Sequence, residues 1–341
     1  MVTIKATWRR LATTERLQRS SQSLSVLGSR AWIFGGEVEP RQPVDNRLDV
    51  VEISGNKENA ATQTISAAGT APTPRVGTQT TALNNSLYLF SGRGGIEMKP
   101  IEECGGLWRY SPEETRWDLV TPADPTAAYP AGRSYHAITS DKTDTIYIHA
   151  GCPESGRLCD FWSFNVASRT WKQLPEAPAP GRGGTSIAWA AGKVYRMNGF
   201  DGSNELGGAV DVFDTSSATW STISFAPDGV QGPGTRSVSA LLAVSAGGKE
   251  YLATLFGERD PSALGHAGAG KMLSDVWLFE LASQTWLKVE AGDGEDDDKP
   301  AGRGWFDADV AQDENGKQAI IVHGGLAADN SRLGDVWRLE F

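Results

Sequence analysis

The stretch 132–174 constrains the fold of this chain more than any other. It reads Gly-Arg-Ser-Tyr-His-Ala-Ile-Thr, turns at the charged residues 141–144, and resumes as Thr-Ile-Tyr-Ile-His-Ala-Gly. A variable loop leads to Asp160-Phe-Trp-Ser-Phe-Asn, and after Val-Ala-Ser-Arg comes Thr170-Trp-Lys-Gln-Leu. These are four short runs rich in β-branched and aromatic residues, with period-2 alternation and turn residues between them, which is the pattern of strands. None is long enough for a helix. Four antiparallel strands make one small sheet that cannot bury both faces alone, so the sheet needs copies of itself.

The copies are present. Arg19, Arg75, Arg133, Arg182, Arg236 and Arg303 each precede a first strand, and Gly36, Gly92, Gly151, Gly199, Gly257 and Gly325 each close a second. Asp49, Trp108, Phe161, Asp211, Asp275 and Asp335 lie at or near the start of a third. Trp117, Trp171, Trp220 and Trp286 mark fourth strands. The repeat is roughly 50–65 residues, the range of propeller blades of the Kelch type. The expectation is an all-β, six-bladed Kelch β-propeller spanning 1–341, with no second domain.

The last repeat runs from Arg303 to Phe341 and stops after three strands. Its missing strand is at the other end of the chain, where Thr7-Trp8-Arg9-Arg10-Leu11 matches Thr170-Trp171-Lys172-Gln173-Leu174. Blade 6 is therefore expected to be split, 303–341 plus 7–11, with the N-terminal strand closing the ring and covering a sheet edge.

The net charge of −10 argues against nucleic acid and anionic membranes as partners. No run suits a signal peptide or a membrane span. Three cysteines, Cys104, Cys152 and Cys159, without framework spacing fit a reducing, cytoplasmic setting and free thiols, the alternative being a Cys152–Cys159 bridge across one loop. The acidic run 292–299 reads as a solvated loop between blades 5 and 6.

Strands a, b, c and d of a blade alternate in direction, so the d–a connection and the b–c loop emerge on one face. The six arginines should then ring one mouth of the channel, a cationic mouth that attracts anions in an acidic protein. The alternative is that each Arg bonds backbone carbonyls and is architectural. The b–c loops start at Glu37, Arg93, Cys152, Phe200 and Glu258 in blades 1–5, and function should lie in their differences. The fifth is the longest and holds Glu258, Asp260 and His266, three candidate hard-metal ligands.

The last four blades carry a more specific set of residues: Arg182-Gly-Gly-Thr-Ser, Arg236-Ser-Val, Phe256-Gly-Glu, Gly265-His-Ala-Gly-Ala-Gly, Thr285-Trp, Arg303-Gly-Trp-Phe and His323-Gly-Gly-Leu-Ala. In these, the chain resembles the stand-alone Kelch specifier proteins: nitrile-specifier, epithiospecifier and thiocyanate-forming proteins. The resemblance implies a non-haem iron protein that steers a thiohydroximate-O-sulfonate towards nitriles, epithionitriles or thiocyanates. It implies an iron triad of Glu, Asp and His at intervals of four. Glu258 and His266 match the outer two; the middle position is Ser262, a poor iron ligand, and Asp260 is out of register. It also implies sulfate-holding arginines on the second and third b–c loops, where Arg93 and Arg157 stand.

The expected substrate-facing set is thus Arg93, Arg133, Arg157, Arg182, Arg236, Arg303 and Trp305, with weak Fe(II) binding at Glu258 and His266. Two other readings stay open. One is a metal-independent lyase, isomerase or cyclase of a specialised-metabolite pathway. The other is an interaction scaffold that presents the b–c loop face to a protein.

Overall fold

The computed structural model describes residues 3–55, 60–66, 68–265, 268–291 and 299–341. Among these the strands form six four-stranded antiparallel units. Blade 1 comprises Ser20–Leu27, Arg30–Glu37, Leu48–Glu52 and Thr62–Ile65. Blade 3 comprises Ala137–Ser140, Thr145–Gly151, Leu158–Asn165 and Thr170–Leu174, the four strands expected from its sequence. The first strands of successive blades touch all the way round, blade 6 against blade 1 included, so they surround a central lumen. All three cysteines are unbridged. Of the acidic run, 292–298 lie outside the described residues.

The N-terminal strand Thr3–Thr13 closes the ring as expected, and it does more. Thr7–Thr13 pair antiparallel with Asp335–Glu340 of blade 6. Before that, Thr3–Ala6 pair parallel with Lys288–Ala291, the outer strand of blade 5. One strand therefore stitches two blades into an eight-stranded sheet.

Blades pack through aromatics. Each fourth-strand Trp reaches the preceding blade: Trp117 meets Phe34 at 5.4 Å, Trp171 meets Phe90 at 5.9 Å, and Trp220 meets Phe161 at 5.3 Å. Trp8 does the same for blade 6, stacking on Phe256 of blade 5 at 5.7 Å and meeting Trp337 edge-on. This confirms that Trp8 occupies the fourth-strand position.

Two closed circuits of backbone hydrogen bonds set the geometry near the axis. In the outer one, the amide of each b-strand glycine donates to the carbonyl of the next blade's arginine: Gly36 to Arg75, Gly92 to Arg133, Gly151 to Arg182, Gly199 to Arg236, Gly257 to Arg303, and Gly325 to Arg19. All six glycines have φ between 90° and 115°, where an L side chain is strained. A Cβ on Gly257 would also lie 2.7 Å from the Ser237 carbonyl oxygen. In the inner circuit, Ser21 donates to Trp305, Trp305 to Val238, Val238 to Gly184, Gly184 to Tyr135, Tyr135 to Gly77, and Gly77 to Ser21. These residues also have positive φ, from 46° to 60°. The backbone turns at each, satisfying amides that would otherwise be orphaned at the axis.

Candidate functional site: the axial mouth

The residue after each arginine bonds the residue after each b-strand glycine. These pairs include Ser20 with Glu37, Val76 with Arg93, Ser134 with Cys152, Gly183 with Phe200, Ser237 with Glu258, and Gly304 with Leu326. The d–a connections and b–c loops thus share one face, as chain direction requires.

The arginines do not form a free cationic ring. Arg19, Arg75, Arg133, Arg236 and Arg303 are at most 1% exposed. Each donates to a carbonyl at the end of its own b strand, as Arg133 does to Ala150, and each meets a carboxylate. The pairs are Arg19–Asp49, Arg75–Glu103, Arg133–Asp160, Arg236–Asp275 and Arg303–Asp335, all within 3.0 Å. In blades 2, 3, 5 and 6 the same carboxylate also accepts from an indole, that of Trp108, Trp162, Trp277 or Trp337. Burial would raise the Asp275 and Asp335 carboxyls, but the guanidinium hydrogen bonds outweigh it and hold both below the ordinary range. Arg133, Arg236 and Arg303, expected to face substrate, are therefore architectural: a buried guanidinium must be paired inside its blade. Arg182, 7% exposed, hydrogen-bonds no carboxylate among the described residues.

What faces the mouth is a different set. Tyr135, half-buried, projects past Gly77, where an added Cβ would lie 3.1 Å from its ring, and reaches Ser21 Oγ at 3.3 Å. Tyr135 belongs to blade 3 and Ser21 to blade 1, so the phenol spans the axis region. Burial and the Glu37 carboxylate push the phenol far up, and it stays protonated. Sequence reasoning missed Tyr135; the position two after each arginine would have singled out the inner ring.

Around this ring the mouth is polarised. Glu37 of blade 1 and Glu258 of blade 5 are 1% and 3% exposed. Glu37 accepts from the Arg41 amide, and Glu258 Oε1 from the Gly270 amide at 2.6 Å. Opposite charge stands on blades 2 and 3. Arg93 is half-buried; it donates to Ser134 Oγ at 2.7 Å and to the Pro153 carbonyl at 2.9 Å. Arg157 is exposed and bonds the Gly156 carbonyl. Both guanidiniums act on buried Cys152, pulling its thiol down against the larger upward push of burial. The structure thus brings Arg93 and Arg157 to one place. Trp305 is half-buried in the inner ring, where its amide donates to Val238.

The fifth b–c loop supplies less. Asp260 is turned out beside Arg259, and Ser262 Oγ accepts from the Leu264 amide. His266 lies outside the described residues. Among those described, no group of three or more His, Cys, Asp or Glu could hold a metal.

Behind the inner ring is the lumen, a cavity of about 440 Å³ that reaches Lys142, Gln312 and Gln318 at the opposite end. Asp307 and Asp309 line it, bridging blade 6 to blade 1 by accepting from the Leu24 and Val26 amides at 2.7 and 2.8 Å. Asp307 is deep in the molecule but keeps access to the lumen. Burial, and secondarily Asp309, push its carboxyl up to about 8.

The KLHDC2/KLHL20/DRC7 Kelch-repeats domain matches residues 21–257. An N-(sulfonatooxy)prop-2-enimidothioate sulfolyase from Thlaspi arvense is 29% identical over 346 residues, covering 94% of this chain and 91% of its own. The Kelch-like protein terF of Aspergillus terreus is 22% identical, over 79% of this chain and 55% of its own length. Among solved structures, that of YjhT aligns over 96% of this chain and 95% of its own, with a TM-score of 0.70 and 15% identity, a likeness of fold alone.

Proposed function

Because the chain belongs to the KLHDC2/KLHL20/DRC7 Kelch-repeats domain family and is a Kelch propeller of specifier-protein type, we propose that it is a lyase- or isomerase-type enzyme. Its substrate would be a small sulfonated anion bound at the axial mouth. The observation that carries this reading is the convergence of Arg93 and Arg157 on Cys152, opposite the buried carboxylates Glu37 and Glu258.

Charge orients the substrate. Glu37 and Glu258 repel a sulfonate, while Arg93 and Arg157 attract it, so the anionic end lies over blades 2 and 3. When the N–O bond of a sulfonatooxy imidothioate breaks, negative charge builds on the departing sulfate. The two guanidiniums stabilise that charge more than the ground state, which is what accelerates departure. Tyr135, held protonated, is a further donor at the ring.

The described donors do not complete an iron site, because Glu258 is a single carboxylate and Asp260 is turned to solvent. No step is therefore derived through a metal, and Fe(II) dependence is one arm of the test. The substrate is generated in place by a thioglucosidase acting on an alkenyl glucosinolate, with and without the protein and with and without Fe(II). A shift from isothiocyanate to nitrile, epithionitrile or thiocyanate, reduced in Arg93→Met, supports the proposal. An unchanged product ratio in every arm overturns it. A second reading, a protein partner on this face, draws support from Val38, Ile96 and Leu264, exposed large apolar residues on b–c loops of blades 1, 2 and 5. Loss of partner capture in Ile96→Asp with an unchanged product ratio would favour it.

A further inference from the structure

Blade 4 breaks a rule that the other five blades keep. By ladder register, Ala209 stands where blade 5 has Asp275: Phe213 pairs with Val194 as Phe279 pairs with Leu252, four residues on in each case. The acid of blade 4 is instead Asp211, two residues later, and it binds Arg196 through both Nε and Nη2. Arg182 therefore lacks the carboxylate that neutralises its counterparts.

Its guanidinium is nonetheless held in the counterparts' posture. Nε donates to the Pro180 carbonyl, as Arg236 Nε does to Gly234 and Arg303 Nε to Ala301. Nη1 donates to the Asn198 carbonyl at 3.0 Å, as Arg236 Nη1 does to Phe256. Nη2 has no hydrogen-bond partner among the described residues, and it is not among the sealed unpartnered atoms, so it is open to an incoming group. In blades 3, 5 and 6 Nη1 and Nη2 take the two oxygens of one carboxylate at 2.6–2.9 Å. Only that carboxylate is absent here.

Charge points the same way. Arg182 and Arg196 are both more than nine-tenths buried, and among the described residues Asp211 is the only carboxylate that forms an ion pair with either. His149, whose Nε2 lies 3.3 Å from Arg196, is held neutral by burial and by Arg196. Asp201, on the b–c loop, acts on Arg182 through charge alone, without a hydrogen bond to the fork. Burial, and secondarily Arg196, push the Arg182 guanidinium down to about 10, the response of a buried cation without a counter-ion. Ala209, Gly208 and Phe200 are each half-buried, which leaves an approach from the b–c loop side.

We propose that the Arg182 fork is a binding site for an exogenous carboxylate, which occupies the place that an aspartate side chain fills in the neighbouring blades. The ligand class is a small carboxylate, or a larger molecule with an unhindered carboxylate end. The site lies off the axis and does not depend on the chemistry proposed for the mouth.

The test uses formate as probe and the blade rule as control. Thermal unfolding of the wild type is followed against sodium formate, with sodium chloride at equal ionic strength as reference. A saturable, formate-specific rise in Tm is expected. Ala209→Asp supplies the carboxylate internally; its Tm without formate should exceed that of the wild type, and formate should add nothing beyond chloride. A wild type without a formate-specific response, or equal responses in both proteins, overturns the proposal. If Ala209→Asp does not fold, calorimetric titration of formate into wild type and Ala209→Leu decides the question. Binding lost in the leucine variant supports the site; equal binding, or none to the wild type, sinks it.

Discussion

The amide of Gly325 donates to the carbonyl of Arg19 at 2.9 Å, and this bond carries the ring from blade 6 back to blade 1. Its five counterparts join the other neighbouring blades in the same way. Closure is thus secured twice, near the axis by backbone hydrogen bonds and at the rim by the N-terminal strand. The arginines hold the first of these in place, each fixing the backbone whose carbonyl the preceding glycine uses.

The rim closure gives the first prediction. Trp8→Ala removes the aromatic that stacks on Phe256, in a site only 9% exposed. A cost of about 3–5 kcal/mol is expected in chemical denaturation, the range for large buried aromatics. Deleting residues up to Leu11 should remove the parallel ladder and all but the Ala12 and Thr13 pairs of the antiparallel one, and abolish a single cooperative transition. A truncated protein that unfolds like the wild type would show that the strand is dispensable.

The arginine pairs give the second. Arg133→Met strands the half-buried Asp160 carboxylate beside the hole left by a buried guanidinium and should cost about 3 kcal/mol of stability. Arg93→Met should weaken binding of a sulfonated anion, by roughly 1–3 kcal/mol if the contact is direct, with a smaller effect on stability. Paired measurements of urea midpoint and anion affinity separate the roles. If Arg133→Met lost anion binding with its stability intact, the architectural assignment would be wrong.

Acid sensitivity is the third. His136, His149 and His323 are buried, and burial, with nearby arginine charge, holds each imidazole below its ordinary 6.5, His136 and His323 at about 3. The unfolded chain therefore takes up protons first. The histidines' contribution is full above about 6.5 and declines as pH falls from there towards 3. The urea midpoint should drop between pH 7 and pH 5, and His136→Leu should shrink the drop. Identical midpoints at the two pH values would contradict this.

Asp307 works in the opposite direction. Its folded value of about 8 exceeds its unfolded 3.8, so its contribution is complete below 3.8 and erodes as pH rises through 8. Asp307→Asn keeps an oxygen for the Leu24 amide but cannot ionise. The variant should gain on the wild type from pH 5 to about pH 8 and level off above it. A stability difference that stays flat over that range would rule out a titrating Asp307.

Much of the fold was legible because the repeat states the same sentence six times. Arginine, glycine and tryptophan recur in register, and Trp8 could be recognised as a misplaced fourth-strand residue. The site was less legible. Six arginines looked like one feature, yet their charge is decided by residues elsewhere in each blade: Asp160 for Arg133, loop-borne Glu103 for Arg75, and alanine for Arg182. Asp211 stands in the ladder register of Asp49, which binds Arg19, yet in blade 4 the facing residue is Arg196 instead of Ile33, and Arg196 takes the carboxylate. Tyr135 was hidden because its role arises from a positive-φ turn and the empty space above Gly77, neither of which a residue pattern records.

The mixed pairing of the N-terminal strand also has a mechanical side. Thr7 faces Glu340 across the antiparallel ladder, so tension applied through the two ends of the chain loads the same extremity of that ladder. The bonds then open one after another, as in a zip, instead of resisting together in shear. The parallel stretch from Thr3 to Ala6 adds four further register pairs before that point and peels first. A ring that is costly to open by heat or denaturant would part at low force along this one seam, and the blades on either side would come loose still folded.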